Sequence, residues 1–192
     1  MKRRRLLRAA LLGAALLVFA SPAAAHPLGN ATANRAVSVT VVPDELRITY
    51  VLDLAEIPAY AAMLDMDTNT DGRQSPTEQA QWAAGQCDGA AAGMRVAVSD
   101  QRLLMRVGED PKVTFPPGVG GLETLRLVCP LAAPLTPTSE VRTLTVTDTA
   151  DDGRRGWREI TIAPGEGVRL TTSDVPAVSP SNLLVAYPDE IR

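Results

Sequence analysis

Arg35-Ala36-Val37-Ser38-Val39-Thr40-Val41-Val42-Pro43-Asp44-Glu45-Leu46-Arg47-Ile48-Thr49-Tyr50-Val51-Leu52-Asp53-Leu54 is the stretch on which the fold turns. Its first part, residues 35–42, alternates Val with small or polar residues, and Pro43-Asp44 interrupts the pattern. Residues 45–54 then place Leu46, Ile48, Tyr50 and Leu52 two apart. Successive side chains of an extended chain point to opposite faces, so these four share one face. The pattern predicts two half-buried strands joined by a tight turn.

Strand signals return beyond Gly85, at residues 94–98, 102–107, 122–129, 140–147, 158–163 and 168–171. Turn clusters such as Pro116-Pro117-Gly118 and Gly120-Gly121 separate them. Short strands at this spacing predict a mainly β protein, an antiparallel β-sandwich. Residues 57–84 read differently. Ile57, Tyr60, Ala61 and Leu64 recur at helical spacing, and Pro58 suits a first turn. The reading is therefore a sandwich domain over residues 26–171 with a helix–loop–helix insertion at about 57–84. Residues 172–192, with their Pro and Ser, read as a linker or irregular end.

At the other end, Lys2-Arg3-Arg4-Arg5 precedes an apolar run, and Ala23-Ala24-Ala25 supplies small residues at −3 and −1. That is the pattern of a secretory signal peptide, residues 1–25, cleaved after Ala25. The run is nearer 12–15 residues than the roughly 20 that span a bilayer. The expectation is an exported protein, periplasmic or extracellular, beginning at His26. The charge splits at the same point. Of 19 basic and 22 acidic side chains, five basic ones lie in residues 1–25, which leaves a net charge of −8 on the rest. Such a chain lacks the clustered positive charge that phosphate contact needs. One His and two Cys exclude zinc fingers, iron–sulfur clusters and multi-histidine sites. In an exported chain the two cysteines, Cys87 and Cys129, are expected to form a disulfide.

The break inside the helical segment carries the chemistry. It reads Asp67-Thr68-Asn69-Thr70-Asp71-Gly72-Arg73-Gln74-Ser75-Pro76-Thr77-Glu78. With Asp67 as position 1, this is the twelve-residue EF-hand loop. Ca²⁺ is a hard cation that takes several oxygen ligands. Asp67, Asn69 and Asp71 would wrap one side of it, and Gly72 permits the sharp turn. Arg73 would offer its backbone carbonyl, Ser75 would act through a water, and Glu78 would close the site with both oxygens. Ser75-Pro76-Thr77-Glu78 is also a capping box with Pro at the first helical position, predicting an exiting helix from Pro76 to about Ala84. Position 8 departs from the pattern: Gln74 stands where an aliphatic residue usually joins a partner loop. No second such loop occurs in the sequence.

His26 is a weaker metal candidate. At a new N-terminus its imidazole and α-amine would form a bidentate pair for Ni²⁺, Co²⁺ or Cu²⁺. Pro27 has no amide proton to extend that set. Asp148, Asp151 and Asp152 crowd one loop, read as a solvated turn with local Asp–Arg pairing. Trp82, Trp157, Tyr50 and Tyr60 read as packing residues. The one His at a terminus leaves no Ser-His-Asp or Cys-His constellation, so an enzyme is not expected.

Several strings in order resemble a bacterial family. They are His26-Pro27-Leu28-Gly29-Asn30, Tyr50 through Pro58, the calcium loop, Phe115-Pro116-Pro117-Gly118 with Leu125-Arg126-Leu127, Gly156-Trp157-Arg158-Glu159-Ile160, and Ala186-Tyr187-Pro188. Together they are similar to the extracytoplasmic N-terminal region of nickel/cobalt transporters of the high-affinity nickel-transporter superfamily. In that family the region precedes a multi-span membrane domain. No span follows here, so transport itself is not implied. A free-standing relative, a truncated gene and a partner of a separately encoded permease all stay open. The expected role is an exported calcium-binding accessory module tied by resemblance to nickel/cobalt transport. The alternative is a calcium-stabilised interaction or adhesion-type domain with no such tie.

Overall fold

The computed structural model describes residues 28–150 and 153–188. The quoted stretch forms β1 (Ala33–Val41) and β2 (Glu45–Leu54), an antiparallel hairpin in which Val37 faces Tyr50 and Val39 faces Ile48. Leu46, Ile48, Tyr50 and Leu52 are all buried, as their alternation requires. Two helices follow, α1 (Glu56–Met66) and α2 (Pro76–Gly93). Then come β3 (Met94–Val98), β4 (Gln101–Leu103), β5 (Arg106–Val107), β6 (Lys112–Thr114), β7 (Leu125–Pro134), β8 (Leu144–Asp148) and β9 (Arg158–Pro164).

The strands make two sheets. The larger runs β5-β7-β2-β1-β9, with β6 beside β5 along the outer edge of β7, and the smaller runs β4-β3-β8. They share one hydrophobic core, to which Val37, Val39, Ile160 and Ile162 contribute from the first sheet and Val96, Leu144 and Val146 from the second. Each fully buried Leu, Ile or Val contributes about 1.5–3 kcal/mol. The fold is mainly β, a sandwich-like pair of sheets with a helix–loop–helix inserted after the first hairpin. All strand pairs are antiparallel except β1 with β9, which is parallel. The exception has a topological cause: β9 returns only after the whole excursion through the helices and second sheet, not by a hairpin.

Several expected boundaries move. The helix opened by the capping box continues to Gly93 instead of stopping near Ala84. It is stapled to the sheet by the Cys87–Cys129 disulfide, whose Cα atoms are 5.4 Å apart. Residues 102–107 are not one strand: β4 belongs to the smaller sheet and β5 to the larger, with Leu104 and Met105 crossing between them. The strand β6 was not expected, and residues 168–171 form no strand.

The helix α1 turns the opposite way from its apolar pattern. Glu56, Ala59, Ala62 and Met66 are buried, whereas Ile57, Tyr60 and Leu64 are each more than half exposed. The row Ile57, Tyr60, Ala61 and Leu64 does have helical spacing but lies outside the core, and the reading of Tyr60 as a packing residue is corrected. Small side chains let α1 approach closely, and the Glu56 carboxylate accepts the Val119 N–H at 2.9 Å.

The described part of the tail, residues 172–188, contains no helix or strand, and it does not behave as a linker. Leu184 and Tyr187 bury against Ala36 and Val51, on the sheet face opposite the main core. Trp157 meets Tyr187 edge to face, with ring centres 6.4 Å apart. Beneath the tail lies Glu159. Its carboxylate accepts bonds from Trp157 Nε1 (2.8 Å), Ser181 Oγ (2.8 Å) and Ser179 Oγ.

Candidate metal centre

The twelve-residue loop spans the end of α1 and the first turn of α2. Asp67 is the residue that ends α1. Its two carboxylate oxygens accept the N–H groups of Asp71 (3.0 Å) and Gly72 (2.8 Å), folding the loop back on itself. Asn69 Oδ1 also accepts from the Asp71 N–H, at 2.9 Å. Asp71 Oδ1 accepts from the Arg73 N–H at 2.8 Å. These are Asx-type turns, in which a short polar side chain replaces a backbone acceptor. Gly72 sits at φ 80°, the left-handed region that a residue without Cβ enters freely. Arg73 is exposed.

Glu78 closes the loop. Through Ser75 it forms a complete capping box: Ser75 Oγ accepts the Glu78 N–H, and Glu78 Oε2 accepts the Ser75 N–H at 2.9 Å. Ser75 Oγ also donates to Oε2, at 2.8 Å. The other oxygen, Oε1, crosses to the start of the loop. It accepts from Thr68 N–H and Oγ, both at 2.9 Å, and from Asn69 N–H at 3.3 Å. The Ser75 backbone bond, then the Ser75 and Thr68 hydroxyls, hold this carboxyl well below the usual range, at about 2. It is therefore ionised at any physiological pH. Gln74, the exceptional residue at position 8, donates to the Met63 carbonyl at 3.2 Å, satisfying an acceptor in the last turn of α1.

The loop thus brings Asp67, Asn69, Asp71 and Glu78 onto one short turn, with Arg73 and Ser75 between them. Their donors are all oxygen, and three carry charge, which fits a hard divalent cation. Among the described residues no three His, Cys, Asp or Glu side chains converge closely enough to hold an ion. The cause lies in the hydrogen bonds above: each carboxylate is aimed at loop N–H or hydroxyl groups. An ion would have to draw these oxygens inward from those donors. Sequence reasoning did not single out Thr68, whose hydroxyl bond to Glu78 follows no residue spacing. It marked Gln74 only as a departure from the pattern, without foreseeing its bond to the Met63 carbonyl.

The remaining candidates separate cleanly. His26 and the expected signal segment, residues 1–25, lie outside the described residues, as do Asp151 and Asp152. Asp148 pairs with Arg35 at 3.0 Å, both side chains more than nine-tenths buried. Asp148 Oδ1 also accepts the Ala150 N–H at 2.9 Å. Asp148 thus joins β8 to β1, instead of lying in a solvated turn. Tyr50 is buried, and Trp82 and Trp157 pack at the edges of the two hydrophobic clusters, but Tyr60 is exposed. Compared with protein-family models, curated proteins and solved structures, the chain matches none.

Proposed function

We propose that this chain is an exported calcium-binding module, with Ca²⁺ fixing the helix–loop–helix insertion against the sandwich. The observation that carries this reading is the loop from Asp67 to Glu78. It combines the oxygen side chains at positions 1, 3, 5, 9 and 12 with a left-handed Gly72 at position 6 and a Glu78 that reaches across both halves. Asp67, Asn69, Asp71 and Glu78 would supply side-chain oxygens, Arg73 its backbone carbonyl, and Ser75 a water-mediated contact. Three charged ligands suit an affinity of roughly 10⁻⁵ to 10⁻³ M, appropriate to a structural clip outside the cytosol.

The order of the short strings from His26 to Pro188 supports a role beside nickel/cobalt transport, with a membrane permease as partner. The exposed row Ile57, Tyr60 and Leu64 on α1 favours a second reading, a calcium-stabilised interaction domain with no link to those metals. Neither reading includes an enzymatic step. Scanning calorimetry of the mature chain tests the calcium assignment. Millimolar Ca²⁺ should raise the melting temperature, and Glu78→Gln should abolish the rise. An unchanged wild-type melting temperature refutes it. Titration with Ni²⁺ and Co²⁺ beside Ca²⁺ separates the two roles, since only the first expects either ion to bind.

A further inference from the structure

The loop and the disulfide share one helix. Glu78, in the first turn of α2, closes the loop, and Cys87 further along the same helix is bonded to Cys129 of β7. Apart from Glu78 itself, the fully buried residues of α2 are Ala83, Cys87 and Ala90, with Trp82 half-buried beside them. On α1 the buried apolar residues are Ala59, Ala62 and Met66. The insertion is therefore seated mainly by alanines, with Met66 and Trp82 as its larger contacts, and its strongest single tether to the sheet is covalent. Both sulfurs belong to fully buried residues.

Resting on the calcium reading above, we propose that calcium binding and reduction of Cys87–Cys129 oppose each other, so that the redox state of the compartment sets the calcium affinity of the loop. Cutting the bond leaves α2 held to the core by Ala83, Ala90 and the half-buried Trp82, with no covalent tether. Its first turn, which carries Glu78, is then free to move away from Asp67, Asn69 and Asp71 at the end of α1. The ligand set loses its fixed spacing. In the reverse direction, an ion shared between Asp67 and Glu78 pins the first turn of α2 to α1. The lifting of α2 that would expose the buried sulfurs is then resisted.

The reductant is a dithiol. Its thiolate attacks one sulfur, breaking the Cys87–Cys129 bond and forming a mixed disulfide. Its second thiol then displaces the protein thiolate, so two electrons pass to the protein, which takes up two protons, and the dithiol leaves as a disulfide.

Linkage makes the two effects equal in size, because each ligand changes the other's equilibrium by one factor. The test is calorimetric Ca²⁺ titration of the mature chain, oxidised and after dithiothreitol, together with Cys87→Ser/Cys129→Ser. The disulfide-free forms should bind about fivefold or more weakly. In parallel, dithiothreitol redox buffers with and without saturating Ca²⁺ give the midpoint of the disulfide. A fivefold coupling moves it to a more negative potential by about 20 mV. That shift should vanish in Glu78→Gln, a comparison that needs no folded cysteine variant. Calcium binding by the oxidised chain with an unmoved midpoint overturns the coupling alone. No binding by the oxidised chain overturns the calcium reading and the coupling together.

Discussion

Glu78 concentrates the electrostatics of the loop in one residue. Its carboxylate takes five hydrogen bonds from three residues and titrates at about 2, against an ordinary 4.5. A carboxyl whose folded value is depressed favours the native state fully above its unfolded value. That contribution is lost as pH falls through the folded value. The window is therefore from about 4.5 down to about 2. In chelator-containing buffer, Glu78→Gln should melt below wild type at pH 6, and the difference should close as pH falls across this window. Carboxylates common to both proteins titrate in both and leave the difference untouched. A difference that stays constant from pH 6 to pH 2 would contradict the hydrogen-bonded carboxylate. Glu159 makes a useful contrast. It too is held by several donors, from Trp157, Ser179 and Ser181, but it serves to seat the tail rather than to close a loop.

At the level of elements, legibility followed the locality of the signal. The hairpin was readable because period two places Leu46, Ile48, Tyr50 and Leu52 on one face whatever surrounds them. The loop was readable because its oxygen-bearing side chains lie within twelve residues and its closing Glu78 is also the third residue of a capping box. The orientation of α1 was not readable. Its apolar row and its alanine row both have helical spacing, and only the close approach to the sheet selects Ala59 and Ala62 for the inside. The split of residues 102–107 between sheets, and the docking of the tail, depend on partners far away in sequence. The burial of α1 has a direct consequence. Leu64→Gln should cost less than about 0.5 kcal/mol, because Leu64 is exposed, whereas Met66→Ala should cost about 2–5 kcal/mol. Urea denaturation of the two variants checks the order. A large loss from Leu64→Gln would mean that the apolar row is packed after all.

For the whole molecule, the parallel pairing of β9 with β1 binds the last third of the chain to its first strand. Ala33 and Arg35 donate to the carbonyls of Arg155 and Trp157. Gly156 between them approaches so closely that a Cβ there would strike the Ala33 carbonyl. Beyond β9, the tail crosses back over Ala36 and Val51, and Arg126 donates to the Leu183 carbonyl at 2.5 Å. The tail therefore supplies the cover of a sheet face, and the hairpin remains half-clad without it. Two truncations separate a structural tail from a linker. A chain ending at Ala150 loses both β9 and the tail, leaving one edge of β1 and one face of the hairpin open. It should show no cooperative melting by circular dichroism. A chain ending at Thr172 keeps β9 and should still fold. It forfeits the burial of Leu184 and Tyr187, each worth about 1.5–3 kcal/mol before the entropy of ordering the tail is subtracted. Its melting temperature should fall by roughly 5 °C or more, with increased binding of a hydrophobic dye. A chain ending at Thr172 that melts with the full protein would return residues 172–192 to the status of a linker.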